Sequence, residues 1–249
     1  MKSQEDSARL LHSIIMPAYN EDEIITDTVA SLCTQLDQST YRYELIIVDD
    51  NSTDQTLNLA KRLSTQHHCV KVIHNAGPNG YGYAVRQGLE VYCGDSMVIV
   101  TSDGSDSPKD ILEYWRKIEM GYECVFGNRF DSSARVSGYP VAKRWTNRCA
   151  NYLLAWLANT QYRDITNGFK CYRRCVIDDI KPIVSGQFNI TIELGLKSLM
   201  SGRHYTVVPT DWQQRDGGQS SFDVLKLIKP YFATALYCFS QNYIRSIKR

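Results

Sequence analysis

The sequence predicts an α/β fold in which a Rossmann-like, mostly parallel sheet carries helices on both faces. In the first half of the chain, short apolar runs alternate regularly with segments of helical periodicity. One of these runs, residues 97–100, is continuously apolar, as expected of a buried parallel strand. Polar loops follow three of the first four runs, and parallel strands bring such loops to one edge of a sheet.

The first half divides into strands and helices in strict order. The predicted strands are residues 13–16, 44–48, 70–73, 97–100 and 124–126, and the helices between them are residues 22–36, 54–66, 81–92 and 108–120. Thr53 or Asp54 is suited to cap the second helix, and Pro108 fits the first turn of the fourth, where its missing N–H is not needed.

The second half is less regular. A helix is predicted at residues 141–159, extended segments at 166–172 and 205–209, and a helix at 191–202 between them. The last segment, residues 222–247, has apolar residues near helical spacing and basic residues mostly at its ends. It either packs on the core or lies as an amphipathic helix in a membrane interface. Pro230 should kink or interrupt it.

Composition excludes several classes of protein. The 249 residues are 43% apolar, and 28 Lys and Arg balance 27 Asp and Glu, which argues against disorder and against nucleic-acid binding. The eight cysteines form no Cys-x-x-Cys pair and are expected to be reduced thiols. Residues 1–12 lack the apolar centre of a signal peptide, and no stretch reaches the ~20 apolar residues of a bilayer span. We therefore expect a cytoplasmic protein that meets membranes only peripherally, at their inner face.

The most informative segment is the loop of residues 102–108, which follows the apolar run 97–100. It carries Asp103 and Asp106 where ligands bind in open α/β sheets. Two carboxylates so placed suit a hard divalent cation that carries a phosphorylated ligand. The alternative is an ordinary turn, for which Asp, Ser, Gly and Pro are common residues.

Two other loops add to this prediction, residues 17–21 and 49–54. The adjacent carboxylates of Asp49 and Asp50 repel each other unless one accepts hydrogen bonds from a base or ribose and the other from backbone amides. The alternative for Asp49 is a structural role, in which it caps a helix or braces its own loop. The glycines at 80 and 82 do not form a dinucleotide fingerprint, because the third glycine is missing and they follow the third strand.

These residues resemble a known family. Segments 13–21, 47–56 and 80–88 look like the nucleotide-binding half of inverting family-2 glycosyltransferases, whose fold is called GT-A. Segments 125–130, 166–174 and 212–221 are similar to the dolichyl- or polyprenyl-phosphate sugar synthases within that family. The resemblance implies an N-terminal tail (1–12) and a GT-A domain (13–221) made of a nucleotide-binding half (13–130) and an acceptor half (131–221). A C-terminal amphipathic segment (222–249) completes the division.

The resemblance also implies roles on the donor side. Pro17, Tyr19, Glu21 and Asp50 match positions that hold the base and ribose of a sugar nucleotide, and Ser102 and Asp103 lie at its diphosphate. Asp103 matches the second carboxylate of the family's D-x-D, which binds Mg²⁺ or Mn²⁺. Thr101 stands at the first position, so we expect the missing ligand to be supplied by Asp106.

On the acceptor side, a lipid phosphate is already an anion near neutral pH and needs no general base. It needs cations instead, and guanidinium groups bind phosphate in a fixed fork. Arg129 and Arg215 match the family's acceptor-side arginines, and Arg144 and Arg173 are further candidates. Each of the four could instead form a structural ion pair.

Glu193 matches a family carboxylate and is predicted to orient an arginine or the acceptor. If the acceptor is a glycan hydroxyl, as in lipopolysaccharide or capsule assembly, then Asp106 or Glu193 is the candidate base. The family's Ser-Lys pair reads Ser220-Ser221 here, and the loss of this cation argues against a lipid-phosphate acceptor. A non-catalytic module that binds nucleotide sugars is the third possibility; polyprenyl phosphate remains the expected acceptor.

Overall fold

The computed structural model describes residues 9–134, 136–137, 141–213 and 224–247. The strands are β1 (Leu11–Ala18), β2 (Arg42–Asp49), β3 (Val70–His74), β4 (Ser96–Ile99), β5 (Cys124–Asn128), β6 (Val136–Ser137), β7 (Lys170–Arg173), β8 (Tyr205–Pro209) and β9 (Trp212–Gln213). The helices are α1 (Ile25–Leu36), α2 (Thr56–Gln66), α3 (Tyr81–Val91), α4 (Pro108–Glu119), α5 (Val141–Leu157), α6 (Arg174–Asp179), α7 (Ile190–Met200) and α8 (Val224–Ile247).

Seven strands form one sheet in the order β3-β2-β1-β4-β7-β5-β8. Only β7 runs antiparallel to its neighbours, β4 and β5, so the predicted mostly parallel sheet is confirmed. Because β7 comes from the second half of the chain and lies between two strands of the first, both halves share this sheet. β6 and β9 pair separately.

The sheet has a core layer on each face, as its buried, continuously apolar strands require. In β1, Ile14 belongs to one apolar cluster and Ile15 to the other. α1, α2 and α4 contribute to the cluster that contains Ile14. α3, α5, α7 and α8 contribute to the cluster that contains Ile15. Helices therefore cover both faces, as predicted.

The structure corrects several predicted boundaries. The extended segment expected at residues 166–172 is a strand only from Lys170 onward, because the preceding residues form a loop held by side chains. The first helix begins at Ile25, since residues 21–24 form a turn. The short elements α6, β6 and β9 were not predicted. The last helix continues through Pro230 and is not interrupted there.

One face of α8 packs on the core, through the buried Thr234, Ala235 and Cys238. Its other face leaves Phe232 and Tyr243 exposed. Packing of this segment on the core is therefore confirmed, and its position in a membrane interface stays a prediction. Within the part of the chain that the structure describes, no helix combines the length and hydropathy needed to cross a bilayer.

Candidate active site

The candidate site lies where the strand order reverses. The chain passes from β1 to β2 and β3 on one side and then crosses to β4 on the other side of β1. The carboxyl ends of β1 and β4 consequently form the crevice at which open α/β sheets bind ligands. Tyr19 follows β1 at this edge and is exposed, and Thr101 follows β4.

The first two polar loops are bonded to each other on one side of this crevice. Asn20 takes a positive φ of 53°, and its side chain accepts a hydrogen bond from the Thr53 amide at 2.8 Å. The amide of Glu21 donates to Thr56 Oγ1 at 2.8 Å. Asn and Asp tolerate the left-handed region better than other side chains, which explains the residue type at position 20. The loops therefore form one preorganised wall.

Asp49 and Asp50 accept hydrogen bonds from different donors, which offsets the repulsion between their adjacent charges. Asp49, fully buried, accepts from His74 Nδ1 at 2.9 Å. Asp50 accepts from Asn75 Nδ2 and from the Gly80 amide, both at 2.7 Å. Asp50 thus fixes the start of α3 against β2, and each of its oxygens keeps a second lone pair for a ligand.

The acidic loop closes around Thr101. Its Oγ1 lies 2.6 Å from Asp103 Oδ1 and 2.9 Å from Asp106 Oδ2, and its amide donates to Asp106 Oδ2 at 2.7 Å. Gly104 takes a φ of +74°, where a Cβ would stand 3.2 Å from Thr28 Oγ1 of α1. Glycine at this position therefore allows both the left-handed turn and the close packing of the loop against α1. Thr101 joins the two carboxylates through one hydroxyl.

The electrostatics of this pair fit a divalent cation. Burial, reinforced by the Asp103 charge, raises the pKa of Asp106 to about 7. A cation would relieve this repulsion, and Mg²⁺ is commonly held by one or two carboxylates together with substrate phosphates. Among the described residues, no cluster of three or more His, Cys, Asp or Glu forms a closed metal cage. The pair fits the open type of site, completed by a diphosphate.

Arg129 lies at the same edge, immediately after β5. β7 separates β5 from β4, so the two strand ends are about 10 Å apart. Arg129 donates to Asp164 through Nε at 3.0 Å, Nη2 at 2.8 Å and its amide at 2.9 Å. The Arg129 charge also lowers the pKa of Asp106, opposing the larger effect of burial. The acidic loop and this guanidinium therefore share one electrostatic environment.

A buried lysine supports the loop that carries Asp164. Lys170 Nζ donates to the carbonyls of Ile165 at 2.8 Å, Thr191 at 3.4 Å and Asn167. Burial lowers the pKa of Lys170 to about 7. A lysine with only carbonyl partners fixes loop conformation rather than ligand charge, so Lys170 positions Asp164, which in turn positions Arg129.

Tyr81 connects the two sides of the site. It begins α3, and a Cβ on Gly168 would lie 3.8 Å from its hydroxyl. Burial, with added effects from Asp106 and Asp103, raises the pKa of Tyr81. Its hydroxyl therefore stays protonated between the acidic loop and the Gly168 loop, where it can donate to an anionic ligand.

Two predicted site residues lie elsewhere. Arg173 pairs with Ser96 at the amino end of β4, and its guanidinium donates to the Tyr122 and Ile118 carbonyls. It is at the opposite edge of the sheet, so its assignment to the acceptor is wrong. Glu193 is fully buried and bound to Lys197 at 2.6 Å and to the amides of Val184 and Ser185. This corrects its role to a structural one.

The other predicted site residues lie within or just after β1, after β4, on α5, or outside the described residues. Pro17 lies within β1, Glu21 just after it, and Ser102 is buried beside Asp103. Arg144 is exposed on α5. Arg215 and the Gly217-Gly218 and Ser220-Ser221 pairs lie outside the described residues.

Asp164, Lys170 and Tyr81 were not predicted. Asp164 precedes the segment 166–174 by only two residues, and an Asp before a Thr-Asn-Gly turn was the available signal.

A doubly wound sheet with an acidic loop at the switch point and a fixed guanidinium two strands away defines a GT-A-type transferase. The family model described as Glycosyl transferase family 2 matches residues 13–181, and the chain belongs to this family. The resemblance stated from the sequence is thereby confirmed.

Several relatives are similar over most of the chain. The polyprenol monophosphomannose synthase of Mycolicibacterium smegmatis is 26% identical over 89% of this chain and 84% of its own length. The glycosyltransferase AglJ of Haloferax volcanii is 29% identical over 86% of this chain and 67% of its own. An uncharacterized glycosyltransferase of Bacillus subtilis, YkcC, is 27% identical over 90% and 67%.

Solved structures share the fold. Glucosyl-3-phosphoglycerate synthase from Mycobacterium tuberculosis, crystallised with Mn²⁺, UDP-glucose and phosphoglyceric acid, superposes with a TM-score of 0.71. The alignment covers 94% of this chain and 81% of that one, at 20% identity. The same synthase with Mg²⁺ and UDP gives the same TM-score of 0.71. At this identity the likeness supports the GT-A fold alone.

Proposed function

We propose that the protein transfers a hexose from a nucleotide sugar to a polyprenyl phosphate, with inversion and with the help of a divalent metal ion. The observation that carries the proposal is the Asp103–Asp106 pair at the switch point, with Arg129 two strands away at the same edge and its charge acting on Asp106. Similarity to a polyprenol monophosphomannose synthase supports the lipid-phosphate acceptor. UDP-glucose in a structural neighbour supports a nucleotide-sugar donor.

On the donor side, Pro17, Tyr19, Glu21 and Asp50 would hold the base and ribose. Tyr19 is exposed beside the crevice, and the bonded loops 17–22 and 50–56 fix its backbone. Ser102 and Asp103 would lie at the diphosphate. Because these groups are ordered before the ligand arrives, binding requires little loop rearrangement.

Mg²⁺ or Mn²⁺, held by Asp103 and Asp106, would neutralise the charge that develops on the leaving diphosphate. The acceptor phosphate is itself the nucleophile, and its second pKa of about 6 leaves it ionised without a base. Arg129 would orient this anion, and the Asp164 fork keeps the guanidinium in place. Arg144 and Arg215 are proposed to complete the acceptor site.

A glycan hydroxyl is the second candidate acceptor, and one observation favours it. A hydroxyl nucleophile needs a general base, and a carboxyl with a pKa of about 7, as burial gives Asp106, suits that task near neutral pH. The two acceptors make opposite predictions for Asp106→Asn. A lipid-phosphate transferase with Asp103 intact retains part of its rate, whereas a hydroxyl transferase loses its base.

We also propose that the protein works at the inner face of the cytoplasmic membrane, with α8 as one contact. Phe232 and Tyr243 are exposed on this helix, and Lys229 and Arg245 are basic residues along it. Apolar and basic side chains together suit an anionic lipid surface.

The direct test is transfer of radiolabelled hexose from a panel of nucleotide sugars to polyprenyl phosphate. We expect a chloroform-extractable, mild-acid-labile product that depends on Mg²⁺ or Mn²⁺. Arg215→Ala should abolish transfer while nucleotide binding, followed by thermal shift, is largely retained. Label that stays with water-soluble saccharide would identify the hydroxyl acceptor instead, and nucleotide binding without turnover on any acceptor would indicate a non-catalytic module.

A further inference from the structure

The outward face of α5 is apolar, the reverse of what a surface helix normally presents. We call the exposed residues Trp145, Tyr152, Leu153, Trp156 and Leu157 the α5 apolar face. Trp145 is 66% exposed and Trp156 is 76% exposed. The spacing of seven and then four residues from 145 to 152 and 156 puts three aromatic rings on one stripe. A contiguous patch of this kind marks an interaction site, unlike single exposed apolar residues.

This face cannot turn inward, because the other side of α5 is fixed. Leu154 and Ala155 are buried in the core. Asn151 Oδ1 accepts from the Thr166 amide at 3.0 Å, and Asn151 Nδ2 donates to Thr166 Oγ1 at 2.9 Å. Thr166 lies two residues after Asp164, the partner of Arg129. The helix is thus tied to the loop that positions the proposed acceptor-side arginine.

The charges around this face identify its partner. Over residues 144–157, whose side chains the structure describes, α5 carries Arg144 and Arg148 but no Asp or Glu. The Arg163 guanidinium lies 4.6 Å from the centroid of the Tyr152 ring. Trp and Tyr are the residues enriched at membrane interfaces, and a basic border adds attraction to anionic headgroups. A second copy of α5 would instead bring like charges together, which disfavours a symmetric dimer.

We infer that the α5 apolar face docks on an anionic lipid bilayer, inserting its indole rings at the headgroup level. The inference rests on the proposed function and deepens it. A helix lying in this interface holds the Asp164 loop, and with it Arg129, next to the membrane surface. A polyprenyl phosphate could then reach the site from the bilayer without leaving it.

The test is flotation of the full chain with vesicles of equal parts phosphatidylcholine and phosphatidylglycerol. The double variant Trp145→Ser/Trp156→Ser should partition at least about tenfold more weakly, because two large apolar surfaces no longer leave water. Wild-type binding should weaken as salt is added or phosphatidylglycerol is omitted. Both side chains are exposed, so the melting temperature should be retained; the two single variants, each with a smaller loss, provide a second measurement.

Met120→Ser is the matched control. Met120 is 59% exposed but follows α4 at the opposite edge of the sheet, so its loss should leave vesicle binding at the wild-type level. Phe232→Ser/Tyr243→Ser separates the contribution of α8. The inference is overturned if the α5 double variant binds vesicles as wild type does. It is also overturned if the wild type does not bind vesicles and light scattering shows that the wild type is a dimer and the α5 double variant a monomer.

A parallel assay separates this inference from the proposed function. Transfer to long-chain polyprenyl phosphate in vesicles is compared with transfer to a short-chain, water-soluble prenyl phosphate. Docking through α5 predicts that the double variant loses more activity on the vesicle substrate than on the soluble one; equal losses argue against it. Tryptophan-dependent vesicle binding with no transfer to either substrate would refute the proposed acceptor and leave the docking surface supported.

Discussion

Replacing Asp164 by Asn tests the central geometric argument, that one buried carboxylate fixes Arg129. Asp164 is 0% exposed and the Arg129 side chain 15% exposed, and three hydrogen bonds of 2.8–3.0 Å join them. Removing one partner of a buried pair costs about 3–5 kcal/mol, because the other charge is left without compensation. Asn keeps one acceptor oxygen, and the Arg129 side chain is still partly exposed to solvent. We therefore expect the lower end of this range, a loss of about 3 kcal/mol in the free energy of unfolding.

The assay is urea denaturation combined with steady-state kinetics. If Arg129 binds the acceptor, Asp164→Asn should raise KM for the acceptor more than KM for the donor, which a merely structural role would not do. Asp178→Asn, in the exposed pair with Lys181, is the control and should change stability by less than about 1 kcal/mol. A loss at Asp164 no larger than at Asp178, or equal effects on both KM values, would refute the reasoning.

Three further predictions follow from individual groups. Burial holds the pKa of His12 at about 4, below its ordinary 6.5, so stability should be complete above pH 6.5 and fall by up to about 3 kcal/mol toward pH 4; His12→Phe should flatten that slope in pH-dependent denaturation. Asp103→Asn should remove the increase in melting temperature that Mn²⁺ with a nucleoside diphosphate gives the wild type, and a retained increase would exclude Asp103 as a ligand. Glu193→Gln should lower stability by about 2–4 kcal/mol, since its pair with Lys197 is buried, while transfer by the folded enzyme persists; a selective loss of rate would restore the catalytic role.

The strands of the first half were predictable because the apolar runs of β1, β2, β4 and β5 are largely buried on both faces. The helices were predictable because a polar turn precedes each of them. β8 was predicted with the bounds it has, Tyr205–Pro209. β7 was predicted to begin four residues too early, although Asn167 and Gly168 are turn residues rather than strand residues. Tertiary contacts keep residues 166–169 out of the strand, because the Asn151 side chain and the Lys170 ammonium bond to backbone groups of that loop.

Some site residues could be placed from the sequence, and others could not. Residues at the carboxyl ends of parallel strands, such as Asp50 and Asp103, were placed at the correct edge because strand direction alone decides it. Arg173 was misplaced because β7 runs antiparallel, which carries its last residue to the amino edge. Glu193 looked functional because a carboxylate in an apolar helix start is unusual. Lys197, one turn later, is the partner that explains it.

Thr101 stands where a D-x-D loop has its first carboxylate, so the site carries one negative charge fewer. In a D-x-D loop the first carboxylate would add a further negative charge beside Asp103. Here a hydroxyl stands there and lies within 2.6–2.9 Å of both Asp103 and Asp106. A hydroxyl has one proton to donate, so it can satisfy only one of the two carboxylates at a time. Burial raises the pKa of Asp106 to about 7, so this carboxyl is partly protonated near neutral pH. Binding a dication must displace that proton, so metal affinity should rise with pH through about 7. Burial of Asp106 is the origin of this link between proton and metal binding, and the hydrogen bonds from Thr101 weaken it because they lower the pKa of Asp106.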